Sequence, residues 1–263
     1  MDDGAAVDYD FSGRVAMVTG AARGQGRSHA IRYAEAGADV VATDVCATDD
    51  ASTYEMADDA ELAETVAPAE DRGGDALGLR MDVSRAADVE ATVEQALSTF
   101  GRIDVLANNA GVAPVSGLLD LDEATWDHTL DVNLKRMWLC AKYVGRHMAG
   151  RGGGGRIVNT ASTAALAASP GLGHYSAAKH GVVGLTRNLA AELAPYDVTV
   201  NAVCPTAVDT DMTAGIVESI DDDVAEIAEQ SGSDNLFADI LQPEDVSAAF
   251  VWLSSDAAGA TVF

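Results

Sequence analysis

Tyr175 and Lys179 stand four residues apart at the head of an apolar segment, and Ser162 stands thirteen residues before the tyrosine. Residues i and i+4 of a helix share one face, about a turn apart. A phenol beside an ammonium is a poor pair to turn into a core, because both groups need polar partners there. It is a sensible pair to aim at a reacting carbonyl: the phenol exchanges a proton and a nearby cation favours its ionised form. Each residue alone has a plainer use, Tyr175 as a buried core phenol and Ser162 as a strand-end turn.

The elements that must position this pair follow from the apolar pattern. Short β-type runs at 14–20, 39–44, 76–83, 102–111, 155–162 and 197–205 alternate with helical stretches at 24–38, near 58–72, and at 85–100, about 122–149, 174–194 and 243–254. Strands separated by helices predict βαβ units and an α/β fold, a doubly wound parallel sheet with helices on both faces. No repeat or linker interrupts residues 1–263, which read as a single domain. Two stretches break the rhythm. The polar, acidic segment 45–68 exceeds the usual length of about 2–6 residues between strand and helix. Its part at 45–60 reads either as a surface insertion or as a flap over a bound cofactor. The segment 206–242 follows the sixth strand at the ligand end of a parallel sheet and reads as a substrate lid.

The first strand ends in "VTGAARGQG", which puts Gly20, Gly24 and Gly26 at a strand-to-helix turn. Such glycines let a pyrophosphate approach the backbone and rest on free N–H groups of the helix N-terminus. Asp44 ends the second strand, where a carboxylate accepts from ribose hydroxyls and repels a 2′-phosphate, so NAD is expected over NADP. Arg23 pulls the other way, since an arginine in this loop can meet a phosphate. Asp82 ends the third strand and could bond an adenine amino group. As a helix N-cap there, Ser84 fits better. In "NNAG", Asn108 and Asn109 can bond backbone between strands, while Ala110 and Gly111 leave room for a ribose.

Forty-two acidic residues face sixteen basic ones, a net charge of -26, and the only lysines are Lys135, Lys142 and Lys179. This surface repels nucleic acid and anionic membranes, and its acid excess with few lysines fits adaptation to high salt. No apolar run of about 18 residues predicts a membrane span. The acidic start "MDDGAAVDYDFSG" is unlike a signal peptide, and Cys46, Cys140 and Cys204 are too few and scattered for a disulfide framework or zinc site, so a cytoplasmic location is expected.

TGxxxGxG at 19–26, NNAG at 108–111, Asn133 in "DVNLK", Ser162 and Tyr175-x-x-x-Lys179 occur in the order and spacing of the short-chain dehydrogenase/reductases, which the chain resembles from about residue 12 to 254. The resemblance implies an NAD-dependent oxidoreductase with a Rossmann-type sheet and a catalytic set of Asn133, Ser162, Tyr175 and Lys179. In it, Tyr175 is general base or acid, and Lys179 holds the nicotinamide ribose and, with the nicotinamide cation, lowers the phenol's pKa. Ser162 donates to the substrate oxygen, and Asn133 holds a water leading from Lys179 to solvent. It further implies a cofactor-binding set of Gly20, Arg23, Gly24, Gln25, Gly26, Asp44, Val45, Asp82, Val83, Asn109, Ala110, Gly111, Tyr175, Lys179, Pro205, Thr206 and Val208, and a homotetramer or homodimer touching through 122–149 and 174–194. "GAARGQGRSHA", the insert opening with "DVCA", "HYSAAKHGVVGL" and "PTAVDTDM" are similar to the carveol-dehydrogenase-like, mycofactocin-associated branch, in which the insert covers a tightly held NAD re-oxidised by an external redox carrier. One departure is the ending: "SSDAAGATVF" lacks the family's closing strand, so the last strand is expected to be absent or truncated.

The expected substrate walls are Ala164, Leu166, Leu172, His174, Thr206, Met212, Ile216, Val217, Leu236 and Phe237, with no arginine to clamp an anion. They call for a small or medium hydrophobic secondary alcohol or its ketone. His174 is expected to line that pocket or cap the helix, and no metal site is expected. The alternatives are an NADP-dependent 3-oxoacyl-type ketoreductase and a catalytically silent nucleotide-binding regulatory protein.

Overall fold

A computed structural model describes residues 9–48, 54–72, 74–220 and 240–259. Six parallel strands form one sheet in the order β3-β2-β1-β4-β5-β6: β1 Val15–Thr19, β2 Asp39–Asp44, β3 Ala76–Arg80, β4 Val105–Asn108, β5 Gly155–Thr160 and β6 Val198–Val203. β1 is buried along all five residues, as a central strand covered on both faces must be. At the edge, β3 alternates between half-buried and exposed positions.

The helices are α1 Gly24–Glu35, α2 Asp59–Glu70, α3 Ala86–Phe100, α4 Glu123–Leu130, α5 Arg136–Arg151, α6 Gly173–Leu193, α7 Asp211–Ser219 and α8 Pro243–Ser254. On one face, α1, α2 and α8 enclose Phe11, Tyr33, Leu62, Val246 and Phe250. On the other, α3, α5 and α6 enclose Val89, Val93, Val144, Met148 and Ala190. Each fully buried large apolar side chain contributes about 1.5–3 kcal/mol, so the two layers hold the sheet rigid from both sides.

Two expectations need correction. The stretch 122–149 is not one regular helix, because a π-helical turn, Asp131–Lys135, separates α4 from α5. There the buried Asn133 amide donates to the carbonyls of Val112 (2.8 Å) and Thr129 (3.0 Å), satisfying groups that a widened turn leaves over. Ser84 does not cap α3, whose N-cap is Arg85 without a side-chain bond. The Ser84 amide and hydroxyl both donate to Asp82, a tighter local turn that competes with capping.

Within 206–242, α7 forms early, and a bridge between Val208 and Leu241 ties the two ends of the segment together. Leu236 and Phe237 lie outside the described residues, as do residues 260–263, on which the expectation of an absent or truncated closing strand falls. Among the described residues the sheet ends at β6.

Gly26 explains how α1 can start so close to β1. A Cβ there would lie 1.9 Å from the Gly20 carbonyl oxygen and 2.9 Å from Asn109 Nδ2. Gly26→Ala is therefore expected to destabilise the protein by about 2–3 kcal/mol, the cost of overpacking a tight contact, read as a lowered urea midpoint at unchanged slope.

Candidate active site

The strand order reverses between β1 and β4, and a cleft opens at the carboxyl ends of those strands. Its floor is the glycine turn. Gly20 has φ +67°, and a Cβ on it would sit 2.9 Å from the Ala110 Cα, so only glycine lets the two loops approach. The asparagine pair holds the loops in register. Thr19 Oγ1 accepts from the amides of Asn109 (2.9 Å) and Ala110 (3.1 Å), and Thr160 donates to Asn109 Oδ1 at 3.1 Å. Asn108 donates across to the Met137 carbonyl and Asn159.

Gly20, Arg23, Gly24, Gln25, Asp44 and Val45 line this first cavity from the β1 and β2 side. Asp82, Val83, Asn109, Ala110 and Gly111 line it from the β3 and β4 side, and Asn133, Tyr175 and Lys179 close its far end. Gly26 does not line it, being packed under the turn. Asp44 accepts from the Ala22 amide at 3.0 Å, and burial raises its carboxyl above the ordinary range against that bond and the nearby Arg23 charge. Burial also acts on Asp82, but there the Ser84 bonds and Arg136 outweigh it and the carboxyl sits low.

The catalytic candidates converge. Lys179, 2% exposed, donates to the Thr160 carbonyl at 2.8 Å, and its Nζ lies 5.3 Å from the centre of the Tyr175 ring. Burial lowers Lys179 to about 7. Burial likewise raises the Tyr175 phenol to about 12, with the Ser162 hydroxyl pulling it back. In the chain alone desolvation dominates both groups, and the expected lowering of the phenol belongs to Lys179 acting together with a nicotinamide cation. Ser162 Oγ accepts from the Ala164 amide at 3.1 Å, which leaves its hydrogen to be donated outward. Asn133 Oδ1 is buried without a partner, and a Cβ on Gly111 would lie 2.7 Å from it and 3.7 Å from Lys179 Nζ. An unpartnered acceptor so placed is a natural seat for a water or a ligand hydroxyl.

A second cavity adjoins the first and shares Gln25, Thr160, Tyr175, Thr210 and Met212 with it. Pro205, Thr206 and Val208 line this second cavity rather than the first. Of the expected substrate walls, Ala164, Leu172, Thr206, Met212 and Ile216 are present. Leu166 and Val217 instead point outward, 69% and 54% exposed. His174 is fully buried, faces the Pro114 carbonyl without hydrogen-bond geometry, and neither lines the pocket nor caps α6. Successive side chains on a helix point about 100° apart, so the His174 ring turns inward while Tyr175, next along α6, faces the cleft. His180 faces away, against the Ser176 carbonyl.

The sequence pattern did not single out Thr160 or Tyr54. Thr160 acts through its bonds to Asn109 and Lys179, which no motif spacing encodes, whereas Tyr54 lay in the 45–60 insert already read as a surface insertion or a flap. Among the described residues no group of three His, Cys, Asp or Glu side chains could hold a metal, and no helix is long and apolar enough to cross a membrane.

A doubly wound sheet, a glycine turn at its switch point and a tyrosine–lysine–serine cluster beside it define a dinucleotide-dependent oxidoreductase site. The chain belongs to the short-chain dehydrogenase family, whose pattern it matches over residues 14–221. It is 39% identical over 256 residues to an uncharacterised NAD-dependent oxidoreductase of Mycobacterium tuberculosis, covering 94% of this chain and 91% of that one. It is 46% identical over 201 residues to (-)-trans-carveol dehydrogenase of Rhodococcus erythropolis, covering 76% of this chain and 73% of that one. The crystal structure of carveol dehydrogenase from Mycobacterium avium in complex with NAD superposes with a TM-score of 0.85 at 33% identity, over 95% of this chain and 94% of that one.

The depressed Lys179 gives a pH signature. Between about 7 and the ordinary lysine range of about 10.4, the unfolded chain binds a proton that the folded chain does not, so this residue makes stability rise with pH there. Chemical denaturation of the nucleotide-free protein from pH 7.5 to 9.5 is expected to show that rise, and Lys179→Met to flatten it.

Proposed function

We propose that the protein transfers a hydride between NAD and a hydrophobic secondary alcohol or its ketone, with Tyr175 as the general acid/base. The observation that carries this reading is the position of Tyr175 on the wall shared by the two cavities, one glycine-floored and lined by charged side chains, the other without a charged side chain. The residues fit a dinucleotide: Gly20 and Ala110 form a cradle that a Cβ would fill, and Gln25 Oε1 and Asn133 Oδ1 are buried acceptors without partners. When bound, the nicotinamide ring supplies or accepts the hydride.

The chain's own residues do the remaining work. The glycine turn and the start of α1 receive the pyrophosphate, and Asp44 accepts from the adenosine ribose hydroxyls. Lys179 reaches the second ribose, and its cation favours the phenolate once the site is filled. Ser162 donates to the substrate oxygen, where charge develops. Tyr175 takes the hydroxyl proton in oxidation and returns it in reduction. Asn133 seats a water between Lys179 and solvent.

Ala164, Leu172, Val208, Met212 and Ile216 make an apolar bed for the substrate, edged by the hydroxyls of Ser169, Thr206 and Thr213. That lining supports a neutral, terpenoid or cyclic alcohol over an acyl thioester or a phosphorylated one. Val45, Ala47, Thr48, Tyr54, Met56 and Ala57 bring the 45–60 insertion against the nucleotide cavity, which supports its reading as a flap that retains NAD; residues 49–53 lie outside the described ones. A retained cofactor must be re-oxidised in place, a role that fits an external redox carrier as partner. The exposed Trp138 on α5 supports a homodimer or homotetramer contact through α5 and α6. The acid excess supports work in concentrated salt.

Tyr175→Phe is expected to lower kcat/KM for secondary alcohols by about 10²–10⁴-fold while the protein stays folded and still binds NADH. Full turnover by the folded variant would sink the reading. For the wild type, oxidation should rise with pH as the phenol ionises and reduction should fall, both read from pH–rate profiles. Mass spectrometry of the desalted protein is expected to find NAD; an empty site would reject the flap.

A further inference from the structure

Arg23 is the one feature of the glycine turn that the proposed function leaves without work. Its Nη1 lies 3.0 Å from Asp211 Oδ2, at the first turn of α7, and 3.8 Å from Glu61 Oε1, in the first turn of α2. Its guanidinium carbon sits 5.5 Å above the Tyr54 ring. Asp44, at the adenosine end of the same cavity, also feels its charge. Two carboxylates therefore pair with Nη1 of one guanidinium and a third feels its charge, while its buried Nη2 has no hydrogen-bond partner. The neighbouring cations are committed as well. Arg27 bonds the Ala22 and Glu61 carbonyls, Thr65 and Glu64, and Arg80 is paired with Asp59.

We infer that Glu61 and Asp211 are cofactor-specificity residues, which hold Arg23 in ion pairs and so deny it to the 2′-phosphate of NADP. This inference rests on the reading of the first cavity as a dinucleotide site. The physical reasoning is one of competition. An arginine in this turn has the charge and fork geometry to clamp a phosphate. Here its Nη1 is taken by two carboxylates, which fix the direction of the fork and offset its charge, and the incoming dianion would meet those same carboxylates and the Asp44 charge. Asp44 alone thus accounts for only part of the discrimination. The set also has a built-in link: Asp211 opens α7, which borders both cavities, so the same ion pair joins the cofactor turn to the substrate side.

The substitutions can be conservative. Glu61 Oε2 accepts from the Asp58 amide in a capping box, and a glutamine keeps that bond. Thr210, not Asp211, caps α7, so Asp211→Asn leaves the cap in place. Asp44→Asn retains an acceptor for the Ala22 amide.

The test is fluorescence titration of the purified, nucleotide-stripped full chain with NADH and with NADPH. Four proteins are compared: the wild type, Asp44→Asn, the triple variant Asp44→Asn/Glu61→Gln/Asp211→Asn, and that triple variant with Arg23→Ala. From the single to the triple variant, NADPH binding is expected to tighten by about tenfold or more, equivalent to about 1.4 kcal/mol, while NADH binding changes far less. Adding Arg23→Ala should abolish the gain. No gain in the triple variant, or an equal gain without Arg23, overturns the inference and leaves the NAD reading intact. A wild type that binds neither nucleotide sinks both.

Discussion

A buried ammonium organises the active end of this molecule. Lys179 lies on α6 with almost no access to solvent, and its bond to the Thr160 carbonyl joins that helix to the end of β5. Leaving such a group without partners is costly, so the surroundings must supply acceptors or let the amine lose its proton. Both occur: a strand-end carbonyl accepts from it, and burial brings it down to about 7. The unpartnered Asn133 oxygen nearby, held by the π-helical turn, keeps a second acceptor in reserve. Tyr175 takes its place from the same arrangement, one helical turn back and over the cleft.

The opposite end of the cleft follows a different rule. There the backbone, not a charged side chain, makes the binding surface, with Gly20 and Gly26 allowing the turn, α1 and the Ala110 loop to crowd together. Acidic residues surround it: Asp44 lines the cavity, and Glu61 and Asp211 engage the arginine of the turn. In the proposed reading an acidic chain of net charge -26 still offers a pyrophosphate a floor, because amide dipoles rather than lysines form it.

The alternating β and α runs were legible because a parallel sheet covered on both faces needs continuous apolar strands, and "VAMVT" and "VVAT" are such runs. The glycine turn, Asp44 and the Tyr175–Lys179 spacing were legible for a similar reason: their geometry is local, fixed by a turn or by helical period. The inward turn of His174 and the pairing of Ser84 with Asp82 were not. Each depends on what a distant or competing partner offers: the packed Pro114 loop for His174 and the Asp82 carboxylate for Ser84.

The sequence by itself determined the order of elements, the cradle for a dinucleotide and the face that carries the phenol and the amine, since these follow from period, glycine placement and residue chemistry. Only the tertiary structure decided the electrostatic state of that face. Whether the phenol is lowered or raised depends on how much water the fold removes around it, and desolvation pushes it to about 12 although a cation-bearing residue lies one turn away. Likewise the sequence offers Arg23 to a phosphate, and the fold brings Glu61 from α2 and Asp211 from α7 to hold it. Charges far apart along the chain act on one another only after folding sets their distance.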